Sequence, residues 1–286
     1  TPESVASCLT GKTKAIIVVH LAGNAADMDS ILAVARAHDL QVIEDCAQSY
    51  LCWYKGRLVG TLSHAGCFSL NDFKHVSAGD AGMVVTNDDG LAERVALFLD
   101  KGYARDGSGR RPPFLAYNYR PCELHGAVAI AQLRKLPDIC ARRNALGDRL
   151  TARLKDAPGV HPHKVLEGCM CSYWFYMGRV DPETLGISRD QFVKTVAAEG
   201  VPVSAGYIGQ MVYEYPVLSE HKAYENTPFP WDGTYGRRVE YGHGMCPVAE
   251  TVEGSAFRVP ITEFMSEADI DDIAAAIHKV ARHYTR

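Results

Sequence analysis

The chain has 286 residues, of which 47% are hydrophobic and 22% charged, and its formal net charge is -4. This composition is typical of a globular protein, and it excludes the strongly basic surface that a nucleic-acid partner requires. No apolar run approaches the roughly 20 residues of a membrane span, and the first residues are no signal peptide. We therefore expect a cytoplasmic protein with no membrane contact, long enough for two domains.

The nine cysteines are an odd number and include no Cys-x-x-Cys pair. Reduced thiols in a cytoplasm fit this pattern best. The closest pair, Cys169 and Cys171, has no His or Cys partner at the spacing of a structural zinc site. The sequence therefore predicts no metal.

The first elements of the chain form a βαβ unit. Thr1 and Pro2 are typical of a helix start, and residues 15–20 predict a strand that is buried on both faces of a parallel sheet. Residues 27–38 then have helical spacing, and residues 41–45 form a second buried strand. Ligands of such sheets gather at the carboxyl ends of strands, which is where His20 and Asp45 fall.

Two further strands are predicted at residues 65–70 and 83–86, which makes four strands in this half. A helix at residues 91–100 leads to a loop at residues 102–113 that is rich in Gly, Arg and Pro. Residues 123–144 predict a long helix with a kink or break at Pro137. We assign residues 1–145 to the C-terminal part of a large domain.

Residues 146–286 predict a smaller α+β domain. It contains a strand at residues 173–180, a helix at residues 188–199 and a closing helix at residues 266–284, whose start resembles a capping box. Between them, residues 207–250 have little periodicity. Two functional roles, enclosing substrate or packing the dimer, and a purely structural role all stay open for Tyr207, Tyr213, Tyr215, Trp231 and His243.

Lys74 has neighbours that suit pyridoxal phosphate. This cofactor needs a lysine amine, an acid for its pyridine nitrogen and donors for its phosphate. Asp45 ends a strand, where a protonated ring nitrogen would be an apt partner for a buried carboxylate. Ser69 stands five residues before Lys74 and could bind phosphate, and Gln48 could reach the phenolic oxygen. Taken singly, Lys74 also fits a solvated loop lysine and Asp45 a capping residue.

The whole chain resembles the DegT-type aminotransferases of keto-sugars and keto-cyclitols, a branch of the fold-type I pyridoxal-phosphate enzymes. The resemblance implies an α/β fold with a mostly parallel sheet, helices on both faces and a smaller C-terminal α+β domain. The matching stretches lie in one order along the chain: Thr13-Lys14-Ala15-Ile16-Ile17, Val19-His20-Leu21, Ala26-Asp27-Met28-Asp29, Glu44-Asp45-Cys46-Ala47-Gln48, Phe68-Ser69 with Lys74, Gly79-Asp80-Ala81-Gly82, Asn118-Tyr119-Arg120, Ala131-Gln132-Leu133, Cys246-Pro247-Val248-Ala249-Glu250 and Asp271-Asp272-Ile273.

The resemblance implies a role for each candidate residue. Lys74 would form the Schiff base with the cofactor and shuttle a proton. The other implied cofactor-binding residues are Asp45 at the pyridine nitrogen, Gln48 at the phenolic oxygen, Ala47 beside the ring, Ser69 at the phosphate, and Asn118 at the phosphate across a homodimer interface. Arg120 is expected to hold its loop by a salt bridge. The implied reaction takes an amino group from glutamate or glutamine, in amino-sugar, antibiotic or surface-polysaccharide biosynthesis.

The chain also departs from the family in three places. Ala81 replaces a glycine that usually follows the acidic residue, and residues 171–174 lack a histidine that often contacts substrate. Relatives carry roughly a hundred further residues at the front, a domain-sized fraction. Two alternatives stay open: a sugar dehydratase of the same family, in which a histidine replaces the lysine, and a truncated noncatalytic homologue that serves as a dimer partner.

Overall fold

The computed structural model describes residues 1–107, 110–233 and 239–285. These residues form two compact units. The first unit comprises Thr1–Asp148, Lys164–Phe175 and Ile261–Ser266, and the second comprises Arg149–His163, Tyr176–Pro260 and the described residues from Glu267 onward. The chain thus returns twice to the first unit, whereas the domain boundary after residue 145 stays a prediction.

The strands are short, and the helices range from one turn to five. The strands are β1 (Ala15–Val19), β2 (Gln41–Asp45), β3 (Trp53–Tyr54), β4 (Arg57–Leu58), β5 (Ala65–Ser69), β6 (Gly82–Val85), β7 (Val160–His161), β8 (Cys169–Met170), β9 (Tyr176–Val180), β10 (Ser204–Ala205) and β11 (Ala256–Val259). The helices are α1 (Pro2–Cys8), α2 (Met28–Ala37), α3 (Asp89–Leu99), α4 (Glu123–Leu133), α5 (Leu136–Leu154), α6 (Pro182–Leu185), α7 (Arg189–Ala198), α8 (Pro216–Ser219), α9 (Pro247–Ser255) and α10 (Glu267–Tyr284).

The main sheet of the first unit has the strand order β1-β2-β5-β6. Strands β1, β2 and β5 are parallel, and β6 runs antiparallel to β5. This sheet confirms the four strands predicted for this half. Val19 pairs with Asp45, and Asp45 pairs with Cys67, so the carboxyl ends of three strands meet at one edge. Ligands of parallel sheets bind at such an edge.

One face of this sheet packs on α2. Val18 and Val42 are buried there with Met28, Ile31 and Ala35, which repeat at helical spacing. The prediction that the first strand is buried on both faces is wrong, because Ile17 is 67% exposed and Val19 47% exposed. An apolar run predicts burial but does not say which element covers each face.

The predicted long helix is broken, as expected. Helix α4 ends at Leu133 and α5 begins at Leu136, so that Pro137 stands in the first turn of α5. The missing N–H of proline costs nothing there, since the first turn has no intrahelical acceptor. The start at Thr1 is also confirmed, because its hydroxyl accepts the N–H of Ser4 at 3.3 Å.

A second, three-stranded sheet of the first unit was not predicted. Its order is β4-β3-β8, and Lys55 and Gly56 form the two-residue hairpin turn with positive φ angles of 48° and 82°. In the second unit, β10, β11, β9 and β7 form an antiparallel sheet in that order. Helices α7 and α10 confirm the two helices predicted for this half.

The two predicted loops are only partly described. Residues 102–107 and 110–113 contain no helix or strand, and Ser108 and Gly109 lie outside the described residues. Residues 207–250 include α8 and the start of α9, while residues 234–238 lie outside. Within the described ranges, no helix combines the length and the apolar character that crossing a bilayer requires.

Candidate active site

Asp45 lies at the carboxyl end of a strand, as predicted. It is the last residue of β2 and is partly buried. One oxygen of its carboxylate accepts the N–H of Ala47 at 3.0 Å, and the N–H of Cys46 binds the carbonyl of Cys67 at 2.8 Å. These bonds hold the turn that follows the strand, so the carboxylate and the small side chain of Ala47 have defined positions.

Gln48 connects this turn to a second one. Its Oε1 accepts the N–H of Ala22 at 2.9 Å, in a turn where Ala22 and Gly23 both have positive φ angles. A Cβ on Gly23 would lie 2.5 Å from the backbone nitrogen of Tyr173, so only glycine fits there. Close approach of the two backbones allows Trp174 to donate its N–H to the Ala22 carbonyl at 3.0 Å.

The segment that carries Lys74 is held from the same side. The indole N–H of Trp174 donates to the Phe73 carbonyl at 2.5 Å. The Nε2 of His75 lies 2.9 Å from the Ser172 carbonyl and donates to it. The lysine is therefore fixed on both sides along the backbone, and hydrogen bonds link it through residues 172–174 to the turn that Gln48 holds.

The Lys74 side chain is partly buried. Its Nζ lies 4.2 Å from the centroid of the Trp174 ring. Burial lowers the pKa of Lys74, while the Asp45 carboxylate acts in the opposite direction. A lysine with a lowered pKa has more free amine near neutral pH, and the free amine is the form that attacks a carbonyl.

Ser69 lies at the end of β5, beside β2. Its carbonyl accepts the Tyr50 hydroxyl at 2.9 Å, and its Oγ accepts the N–H of Asn71 at 3.3 Å. The Ser69 hydroxyl hydrogen can still be donated to an anion. The Tyr50 ring packs on Phe68 and His75 at centroid distances of 5.4 and 6.1 Å. Tyr50 therefore joins the serine and the lysine segment.

Asn118 is exposed and belongs to a different cluster. Its Oδ1 accepts the Nε–H of Arg120 at 3.0 Å, and its backbone pairs with that of Asp100. The Asp100 carboxylate also binds Arg120 at 3.1 Å, in agreement with the salt bridge expected for this arginine. A hydrogen bond from Lys101 and a weaker effect of Arg105 both lower the pKa of Asp100. Among the described residues, none of these bonds connects Asn118 to the other five candidates.

Sequence reasoning missed a buried hydrogen-bonded pair, Glu44 and His20. Glu44 is fully buried, and its carboxylate lies 3.1 Å from the Nε2 of His20. It also accepts the N–H groups of Gly60, Leu62 and Ser63 at 2.7 to 2.9 Å. Burial alone would raise the pKa of Glu44, but these hydrogen bonds bring it below its usual value. A glutamate inside an apolar strand was the signal for this pair.

The tautomer of His20 follows from its partners. Its Nδ1 accepts the N–H of Ala26 at 3.1 Å, so the ring hydrogen is on Nε2 and is donated to Glu44. Cys46 lies close enough that the three side chains could share a cation. However, both Glu44 oxygens already accept hydrogen bonds, and burial raises the pKa of the Cys46 thiol. We therefore interpret these three side chains as part of the hydrogen-bonded core and not as a cation site.

Comparison with known proteins agrees with this architecture. Residues 1–278 match the model of the DegT/DnrJ/EryC1/StrS aminotransferase family. A GDP-perosamine synthase of Caulobacter vibrioides is 32% identical over 276 residues, which cover 95% of this chain and 67% of that protein.

Two other relatives cover nearly the whole chain. A Streptoalloteichus tenebrarius protein, whose assigned name is L-glutamine:3-amino-2,3-dideoxy-scyllo-inosose aminotransferase, is 30% identical over 99% of this chain and 68% of its own length. The X-ray structure of an aminotransferase from Psychrobacter cryohalolentis superposes with a TM-score of 0.83 at 28% identity, and covers 100% of this chain and 73% of that one. The chain thus spans about two thirds of the length of its relatives, and it belongs to the DegT/DnrJ/EryC1/StrS aminotransferase family.

Proposed function

We propose that the chain is a pyridoxal-phosphate-dependent aminotransferase that moves an amino group from glutamate or glutamine to a keto-sugar or keto-cyclitol. The names of two relatives, a GDP-perosamine synthase and an aminotransferase of a scyllo-inosose derivative, support this substrate class. The observation that carries the proposal is the partly buried Lys74 amine, which lies 4.2 Å from the Trp174 ring on a segment held by residues 172–174. The product would enter amino-sugar, antibiotic or surface-polysaccharide biosynthesis.

The side chains at this edge fit pyridoxal phosphate in chemical type. Lys74 offers an amine for the aldehyde, and Asp45 offers a carboxylate for the pyridine nitrogen. Gln48 uses its Oε1 on the Ala22 N–H, so its amide N–H group is the part suited to the phenolic oxygen. Ser69 offers a hydroxyl for the phosphate, and Ala47 has too little bulk to keep a flat ring away.

Each of these residues has a separate task in the reaction. When bound, pyridoxal phosphate supplies an electron sink for the carbon that carries the amino group. Lys74 would hold the cofactor through Nζ and, as a free amine, would move a proton between two carbons. The negative charge of Asp45 would favour a protonated pyridine nitrogen. Partial burial of Lys74 favours the free amine that both steps require.

Asn118 enters the proposal through a second copy of the chain. Its Oδ1 is bound to Arg120, and its side chain is exposed. The amide N–H group can therefore be donated to a phosphate in the site of the partner subunit. We propose a homodimer with shared active sites, in which Asp100 and Arg120 hold this asparagine in position.

The environment of His75 supports amination over the dehydratase alternative. A dehydratase of this family would use a histidine where the aminating enzymes use lysine. His75 is 4% exposed, and its Nε2 is engaged by the Ser172 carbonyl. Burial lowers its pKa to about 4. Lys74 is the more accessible of the two neighbours and the only one with an amine.

Spectroscopy tests the proposal directly. Protein supplied with pyridoxal phosphate should develop the absorbance band of a lysine-bound cofactor, and Lys74→Ala should abolish it. Lys55→Ala is the matched control, because Lys55 is an exposed lysine of the same unit. Absence of the band in the wild-type protein would favour the noncatalytic homologue, and a band that persists in Lys74→Ala would assign the attachment elsewhere.

A further inference from the structure

Trp174 makes three contacts, of which one anchors its own backbone and two hold the lysine segment. Its backbone N–H donates to the Ala22 carbonyl at 3.0 Å. Its indole N–H donates to the Phe73 carbonyl at 2.5 Å, one residue before Lys74. The face of its ring lies 4.2 Å from the Lys74 Nζ. One side chain thus fixes both the backbone and the amine of the proposed catalytic lysine.

The Trp174 ring can hold the Lys74 ammonium without accepting a hydrogen bond from it. The face of an indole attracts an ammonium through its quadrupole, and a distance within about 6 Å is sufficient. Because the indole N–H also holds the backbone at Phe73, the ammonium of Lys74 returns to the same ring whenever it is not bonded to the cofactor. A tryptophan anchored at Ala22 is rigid enough for this task, since its own backbone cannot shift independently.

We propose that Trp174 is a positioning residue that holds the Lys74 ammonium over its ring when Lys74 is not bonded to the cofactor. This inference rests on the proposed function of Lys74.

The effect of the Trp174 ring on the pKa of Lys74 has to be distinguished from the effects of the other groups near this lysine. The Asp45 carboxylate at the end of β2 raises the pKa of Lys74, and burial lowers it. His75 is the remaining neighbour; its pKa is lowered to about 4, so it is neutral near pH 7. A useful pair of variants must therefore keep the burial, Asp45 and His75 unchanged, lack the indole N–H in both members, and differ only in the aromatic face.

NMR of methylated lysines provides that separation without any cofactor. Lysines are reductively dimethylated with ¹³C, which keeps their charge, and Lys74 is assigned from its absence in Lys74→Arg. We expect the Lys74 methyl signal to lie upfield of the other lysine signals, because its Nζ lies 4.2 Å from an indole centroid. Lys55 and Lys101 lie farther, 5.1 Å, from the smaller rings of Tyr54 and Tyr103. Its pH titration then reports the pKa of Lys74 in each variant.

The variants divide the contributions of Trp174. Trp174→Leu keeps apolar packing without an aromatic face, and should lose the upfield displacement and lower the pKa of Lys74 by about half a unit. Trp174→Phe keeps the face and should retain most of both effects. Trp53→Leu is the control, since Trp53 is another partly exposed tryptophan of the same unit, and it should change neither.

Two results would overturn the proposal. A wild-type Lys74 signal that coincides with the other lysines would do so alone, even if Trp174→Leu does not fold. Equal pKa values of Lys74 in Trp174→Leu and Trp174→Phe would reduce the ring to ordinary packing. Because the experiment uses no pyridoxal phosphate, either failure is distinguishable from failure of the proposed function, which the absorbance band tests.

Discussion

The carboxylate of Asp45 can be tested separately from its geometry. Asp45→Asn keeps the oxygen that accepts the Ala47 N–H at 3.0 Å, so the turn should be preserved, but it removes the negative charge. We expect the variant to bind pyridoxal phosphate at Lys74 and to lose at least about a hundredfold in turnover, because a neutral amide does not keep the ring nitrogen protonated. Absorbance of the bound cofactor and single-turnover amination measure the two effects.

The same variant has an informative control. Asp45→Ala removes both the charge and the acceptor, so a greater loss of cofactor binding in Asp45→Ala than in Asp45→Asn would measure the contribution of the Ala47 hydrogen bond. Wild-type turnover in Asp45→Asn would contradict the assignment of this residue.

At the residue scale, the sequence offers candidates for the site, whose roles stay predictions, but it does not reveal the contacts that hold them. Asp45, Gln48, Ser69 and Lys74 could be named because a cofactor demands particular chemical groups at strand ends. Trp174 could not, since its contact with Lys74 joins residues that are 100 positions apart. The spacing of residues within a single helix or strand cannot reveal a contact between residues so far apart in the sequence.

The loop between β4 and β5 depends on a single side chain. Glu44 accepts hydrogen bonds from Gly60, Leu62 and Ser63 of this loop and from His20 at the end of β1. In Glu44→Gln an amide NH2 would replace one of the two oxygens and face N–H donors. We expect the free energy of unfolding to fall by about 3 kcal/mol in urea titration at pH 7, since buried donors lose their acceptor.

Glu93→Gln on α3 serves as the control for this variant, because Glu93 is exposed, and a change of at most about 0.5 kcal/mol is expected there. The Glu44 pKa lies below its ordinary value of 4.5. Its contribution to stability is therefore present above pH 4.5 and is lost as the pH falls through the lower, folded value. Glu44→Gln should abolish this acid dependence. An unchanged unfolding free energy would show that the loop does not depend on the Glu44 carboxylate.

At the level of elements, length decided what could be predicted. The four main strands and the helices α2, α3, α7 and α10 follow from runs of apolar residues or from helical spacing. Strands β3, β4 and β8 have two residues each and exist because β3 pairs with β4 on one side and with β8 on the other. Two residues are too few to display an alternation, so the small sheet was not foreseeable. The exposed face of β1 likewise reflects its surroundings and not its own sequence.

Each of the two units contains a buried histidine whose lowered pKa should reduce stability in mild acid. Burial lowers the pKa of His75 in the first unit and of His163 in the second to about 4. An unfolded histidine binds a proton below about pH 6.5. Between these values the unfolded state binds more protons, so acidification favours unfolding by up to about 1.4 kcal/mol per pH unit for each histidine.

Urea unfolding at pH 7 and pH 5 tests this whole-molecule property. We expect a loss of about 2 kcal/mol from each histidine over this interval. His75→Gln keeps a donor for the Ser172 carbonyl, and His163→Asn keeps an acceptor for the N–H of Met177; each variant should remove its own share of the loss. The exposed His38→Gln should not. A pH dependence that is equal in all four proteins would refute the account.

The central claim concerns the whole site and reduces to one covalent bond. Protein incubated with pyridoxal phosphate is reduced with borohydride, digested, and mapped by mass spectrometry for the lysine that carries the pyridoxyl group. We predict that Lys74 carries it in near-stoichiometric yield. Labelling of another lysine, such as Lys55 or Lys101, or no labelling of any lysine, would contradict the assignment of Lys74 as the residue that binds the cofactor.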